Sequence, residues 1–212
     1  MHVPDGFIGP RTWLPAAALA GVSTWFALRR IRQTMQAEAI PTLGVITACS
    51  FGLMLIAVPL PFGGATVHAT GVGLLALRFG VTTAYLAIGL VLALQAFLLG
   101  DGGVTSLPVS ALCLGLGGPL TAVVTHGLLR RVNERLARFV AGWSATVVAA
   151  LLTALVLGLQ PLVAVDAAGE PLFFPFGWRT VVPALVLPHA VVGVLEGLIT
   201  VMGLDRWRQE ER

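Results

Sequence analysis

The chain has no lysine. All 13 of its basic residues are arginines, and against 10 acidic residues they leave a net charge of only +3 at pH 7. So small an excess gives no reason to expect a nucleic-acid partner. Charged residues of both signs make up 11% of the 212 residues, too few to coat a water-soluble globule. The only cysteines, Cys49 and Cys113, lie in apolar segments without CxxC spacing, which excludes a disulfide framework and a thiolate metal centre. The patterns HExxH, GxSxG and GxxxxGK[ST] are absent, so neither a protease nor a nucleotide-hydrolysing site is expected. The head of the chain also lacks the basic stretch that opens a cleaved signal peptide.

What the chain has in abundance is apolar sequence. Hydrophobic residues reach 57% and the mean hydropathy is +0.90, the composition of an integral membrane protein. Seven apolar segments follow one another, roughly 12–28, 40–60, 64–77, 82–99, 106–129, 139–160 and 180–204. Six have about the 17 to 25 residues that a span requires. The third reaches only about 21 Å at 1.5 Å per residue, so its neighbours must shield it. With the N-terminus outside, arginines 29, 30, 32, 78, 130, 131, 135, 138, 206, 208 and 212 all fall inside, leaving Arg11 and Arg179 outside. Dropping the short third segment would invert everything after it. The expectation is one all-α membrane domain over 1–212, with about seven transmembrane helices, N-terminus outside and C-terminus cytoplasmic.

The first residues, Met1-His2-Val3-Pro4-Asp5-Gly6-Phe7, set an α-amine one residue from an imidazole. The amine of Met1, the backbone nitrogen of His2 and the His2 side chain can close fused rings around one divalent ion, leaving one corner of a square plane open. Tetragonal nitrogen coordination suits Ni(II) and Cu(II) better than zinc. Of the other three histidines, His68 is the first candidate for that corner, since it begins the short third segment on the same face as the N-terminus. The alternative is a core histidine bonded to a backbone carbonyl. His189 and Glu196 stand two turns apart on one face of the last segment, about 10 Å along the axis, too far to share an ion easily. His189 is read as a neighbour or alternative ligand, and Glu196 as a structural or coupling residue paired with another helix. His126 is read as interfacial. Asp5 is a turn residue, or the carboxylate that orients His2. Asp101, in Gly100-Asp101-Gly102-Gly103, is likewise read as a turn.

At this point MHVPDGF, GGATVHATGVGLLAL, LLGDGGVTSLPVSALCLGLGGPL and PHAVVGVLEGLIT resemble, in order over nearly the whole chain, the CbiM/NikM family. These are the substrate-binding membrane subunits of energy-coupling-factor transporters for cobalt and nickel. The resemblance implies a planar nitrogen site of Met1, His2 and His68 holding Ni(II) or Co(II) as transported substrate. It also implies a seven-helix architecture in which one helix is added at the N-terminus of the usual six. Where the family commonly has GGTSxH this chain has Gly63-Gly64-Ala65-Thr66-Val67-His68, so Thr66 is the remaining hydroxyl. The implied partners are a transmembrane coupling protein, two ABC-type ATPases and a small accessory membrane subunit, in a prokaryotic plasma membrane. The function expected is capture of the ion, not an enzymatic reaction. A docking surface for the coupling protein is expected on the small residues Ala16, Ala17, Ala20 and Gly21, with intramolecular packing as the alternative. Two other readings remain: a zinc metalloenzyme using His68, His189 and Glu196, and a non-binding scaffold subunit, suggested by the absence of the family's asparagines in 107–113.

Overall fold

Proline, asparagine and glycine punctuate the helices of the computed structural model, which describes residues 2–60 and 66–210; expectations resting on Met1, Gly63, Gly64 and Ala65 fall outside them. α1 (Pro10–Thr34) starts on Pro10, whose fixed φ suits a first helical position. After one 3-10 turn comes α2 (Ile40–Leu55), followed by a two-residue strand, β1 (Val58–Pro59), paired antiparallel with β2 (Thr66–Val67). α3 (Val72–Phe79) and α4 (Val81–Leu94) meet at Gly80, and α4 runs on as a π-helical turn over Gln95–Leu99. α5 (Leu107–Ser110) and α6 (Gly118–Leu129) are joined through a second π-helical stretch, Ala111–Gly117. α7 (Glu134–Val163) is capped by Asn133, whose side chain accepts the Leu136 N–H at 2.9 Å. α8 (Trp178–Glu210) closes the described chain.

Five helices are long and apolar enough to cross a bilayer: Ala37–Leu55, Val81–Leu99, Leu107–Leu129, Glu134–Val163 and Trp178–Trp207. α1, at 25 residues, and α3, at eight, are not among the five. The third apolar segment departs most from expectation. Its described start is strand β2, and helix begins only at Val72, so His68 precedes the helix instead of opening it. The cause is local. Gly71 sits in the left-handed region at φ +72°, and the N–H groups of Thr70 and Gly73 go to the Glu196 carboxylate.

α7 buries a stripe of Ala137, Ala141, Ala145 and Ala149, one per turn, the last three in the apolar core with Val72, Leu114 and Ala122. One close point joins three helices: a Cβ on Gly73 would lie 2.7 Å from the Gly142 Cα, and one on Gly142 would lie 2.8 Å from the Glu196 carbonyl and overlap the Thr200 hydroxyl. Gly142→Ala should therefore destabilise the bundle by about 1–3 kcal/mol, the usual cost of overpacking, read as an earlier melting transition in detergent. An unchanged transition would show that α7 and α8 can separate without cost.

Arginines gather at one end of the bundle. Asp205 on α8 accepts from Arg135 and Arg138 of α7, each at 2.7 Å, and Arg138 also holds Glu134 at 3.0 Å. Nearby the Arg78 guanidinium lies 3.9 Å from the centre of a Trp207 ring. The N-terminal tail folds into the other end.

Candidate metal site

Residues 2–9 thread into the bundle and are held along their length. The Val3 carbonyl accepts the Gly103 N–H at 2.8 Å and also the Ser106 hydroxyl. Asp5 accepts from the Thr105 hydroxyl and N–H and from the Val104 N–H. The Thr105 hydroxyl above all holds the Asp5 carboxyl below its ordinary pKa. Further along, the Phe7 carbonyl accepts from Phe174 N–H at 3.2 Å, and Gly9 N–H donates to the Gln160 side chain at 3.0 Å. Val3 and Ile8 are buried in an apolar cluster with Leu157, Phe174 and Leu185. Apolar burial and these hydrogen bonds together keep the tail from being a loose end.

The His2 ring is the deepest polar group of the tail, 3% exposed. Its Nε2 lies 3.0 Å from the Gln95 side-chain oxygen, and its Nδ1 lies 3.2 Å from the Asp101 carboxylate without hydrogen-bond geometry. Burial, first among the causes, pushes the imidazole pKa down to about 4, so the ring is neutral at pH 7 and carries one proton. In the tautomer with the proton on Nε2, facing the Gln95 oxygen, Nδ1, the nitrogen that closes a six-membered chelate with the chain's own start, presents its lone pair. Gln95 is itself fully buried and opens the π-helical turn after α4, a backbone irregularity frequent at functional sites.

His68 stacks on His2, with ring centroids 4.7 Å apart and planes inclined by 24°. It is 2% exposed, and its Nδ1 lies 3.3 Å from the Ala69 carbonyl. His189 is fully buried on α8. Its Nδ1 donates to the Leu185 carbonyl at 2.7 Å, leaving Nε2 without a hydrogen-bond partner among the described residues. The Thr66 hydroxyl and the Gln95 amide nitrogen are also buried without one. Gly102 packs against His2, a Cβ there meeting the His2 ring at 3.5 Å; its φ of +88° also favours glycine.

The structure thus brings His2 and His68 together and turns Asp5 and Glu196 to other partners. Asp5 binds the 103–105 loop and not His2, because the tail turns away at Pro4; Asp101 takes the place beside the ring. Glu196 turns both oxygens onto the backbone of Thr70 and Gly73, away from the His2–His68 stack. Among the described residues no three His, Cys, Asp or Glu side chains are grouped to hold a metal, which speaks against a zinc centre of His68, His189 and Glu196. On α1, Ala20 is buried and its carbonyl accepts the Tyr85 hydroxyl at 3.0 Å, while Ala16 packs into the tail's apolar cluster. Intramolecular packing accounts for both; Ala17 is half-buried, and only Gly21 faces open space. Gln95, Asp101, Gly103, Ser106 and Gln160 were not singled out as site residues from sequence. Gln95 and Gln160 left a signal: each is an uncharged amide alone in a long apolar run, and polar groups in such runs are costly enough to imply a use.

Relatives and solved structures agree with one another. The chain is 34% identical over 216 residues to the fused nickel transport protein NikMN of Rhodobacter capsulatus, covering 99% of this chain but only 62% of that protein. It is 30% identical to the cobalt transport protein CbiM of Desulforamulus reducens, covering 99% of this chain and 83% of the relative. A crystal structure of a truncated transition metal transporter superposes with a TM-score of 0.92 at 32% identity, covering 100% of this chain and 99% of the other. Five bilayer-length helices and these relatives make the protein a multi-pass membrane protein. The family model for the cobalt uptake substrate-specific transmembrane region matches residues 2–208, and the chain belongs to that CbiM family.

Proposed function

We propose that the protein captures Ni(II) or Co(II) at the outer face of a prokaryotic plasma membrane and delivers it for ATP-driven uptake, as the substrate-specific subunit of an energy-coupling-factor transporter. The observation that carries this reading is the buried His2 ring, beside Gln95 at 3.0 Å, stacked on His68 and with no hydrogen-bond partner at Nδ1 among the described residues. The Met1 amine, the His2 backbone nitrogen, His2 Nδ1 and a His68 nitrogen are the four donors of a planar site. Zinc, which prefers tetrahedral ligands, is disfavoured there. The Asp101 carboxylate offsets part of the ion's charge.

The orientation rests on the arginines. With the tail outside, the Arg135–Asp205 and Arg138–Asp205 pairs lie inside, and α1 and the short α3 add the two passes that bring the count to seven in one domain. No nucleotide motif occurs in the chain, so energy comes from partners: two ABC-type ATPases, a transmembrane coupling protein and a small accessory membrane subunit. The relatives whose names join two transport components in one chain fit such an assembly. The coupling protein would meet α1 on the side of Gly21, where the surface is open.

The test is nickel and cobalt titration calorimetry with elemental analysis, on the native chain and on His68→Ala. Native protein should bind about one ion, and loss of His68 should weaken binding by about a hundredfold or more, beyond the 10–100-fold typical of residues around a metal's own ligands. Equal binding by both would remove His68 from the site. Affinity should also fall as pH drops from about 8 to 6, where α-amines gain their proton and compete with the ion. His2, neutral down to about pH 4, would not contribute over that range.

A further inference from the structure

Glu196 lies well inside α8, fully buried, on a stretch whose neighbours are almost all apolar. A carboxylate is costly there unless its oxygens are satisfied. They are satisfied by backbone: Thr70 N–H donates at 2.8 Å and Gly73 N–H at 3.4 Å. Gly73 lies in the first turn of α3, and Thr70 just ahead of the N-cap residue, Gly71. A cap is ordinarily supplied from within a residue or two of the helix start, as the Thr70 hydroxyl does here by accepting the Val72 N–H at 3.2 Å. Glu196 adds a second hold from 126 residues away, on another helix.

The consequence concerns His68, two residues before Thr70. Its backbone leads into a helix start that α8 holds through Glu196 in addition to the local Thr70 hydroxyl. α8 is fixed in turn. It packs on α7 at Gly142 and Thr200, and at its far end Asp205 is held by Arg135 and Arg138. One helix therefore runs from the arginine-rich end of the bundle to the segment that presents His68 to His2.

We infer that Glu196 is a positioning residue: by gripping the start of α3 it sets the His68 ring against His2, so that the position of α8 governs how tightly an ion is held. The inference rests on the metal-capture reading. Glu196 does not touch the ion, since both of its oxygens face backbone N–H groups.

The experiment compares the native chain, Glu196→Gln and His68→Ala in detergent, with two readouts. The first is amide hydrogen exchange of the metal-free proteins. Glu196→Gln keeps the shape but turns one acceptor into a donor, so Thr70 and Gly73 should exchange about tenfold faster or more while α7 keeps its protection. The second is nickel titration followed by the visible absorption of the bound ion. Affinity should fall about 10–100-fold, and the band should move toward that of His68→Ala. A folded Glu196→Gln with native exchange at Thr70 and Gly73 overturns the inference. So does faster exchange there with unchanged affinity and band. If the native chain binds no nickel, the metal-capture reading falls, and the exchange arm still decides whether Glu196 holds α3. Should Glu196→Gln fail to fold, Glu196→Asp, which withdraws the charge by one methylene, takes its place in both measurements.

Discussion

One residue added ahead of Met1 should cost the protein its nickel or cobalt binding, by at least about a hundredfold, while its melting transition stays close to that of the native chain. The addition turns the Met1 amine into a peptide nitrogen, which donates to a metal only after losing a proton far more reluctantly. It also displaces the new amine from its place in the chelate. His2 itself remains docked, since Gln95, Gly103 and Ser106 hold it and Val3 whatever precedes them. The two effects therefore separate in one experiment, calorimetric titration beside thermal unfolding. Undiminished binding by the extended chain would mean that the amine is no ligand, and the site would have to be rebuilt around His68 and His189.

Gly103→Ala is expected to act nearly as strongly from outside the ligand set. A Cβ at that position would fall on the Asp5 backbone nitrogen and stand 2.5 Å from its carboxylate. The tail must shift or leave. Leaving breaks the Gly103–Val3 hydrogen bond and the Asp5 bonds to Val104 and Thr105, together about 2–3 kcal/mol at ordinary net values. If only docked tails bind, apparent nickel affinity falls by the same factor, roughly 30- to 150-fold. Gly89→Ala is the control, because nothing lies within 4 Å of its added Cβ. Equal affinities in the two variants would show that docking of the tail does not govern binding.

The large elements were legible in the sequence because they depend on one variable, apolar length. That variable marked out the five bilayer-length helices within a few residues. It failed at 64–77, where the structure needs a strand, an extended histidine segment and a short helix. The carboxylate that starts the helix lies on α8, and no local pattern reports a cap supplied from there. The pairing of His2 with His68 was legible for a different reason: four histidines leave few combinations, and the chelate geometry of an N-terminal His selects among them. The bed of the tail was not. Asp5 and Asp101 were each readable as turn residues, and which carboxylate faces His2 depends on how the tail bends after Pro4, a tertiary matter. Gln95 and Gln160 escaped notice because only ionisable groups were weighed, although an amide in an apolar span carries a similar message.

The tail that carries His2 precedes its partners by a long stretch of chain. Gln95 stands 93 residues downstream of His2, Gln160 stands 151 residues downstream of Gly9, and Phe174 follows later still. Contacts so remote in sequence form only after the intervening helices are in place. Residues 2–9 must therefore wait until α7 and the segment after it are made before they can dock fully. A nascent chain stalled before α8 lacks Leu185 and His189, and with them part of the enclosure in which an ion would be held. Docking of the tail in this sense follows assembly of the helices, and a protein arrested short of it would sit in the membrane with its helices formed and His2 undocked.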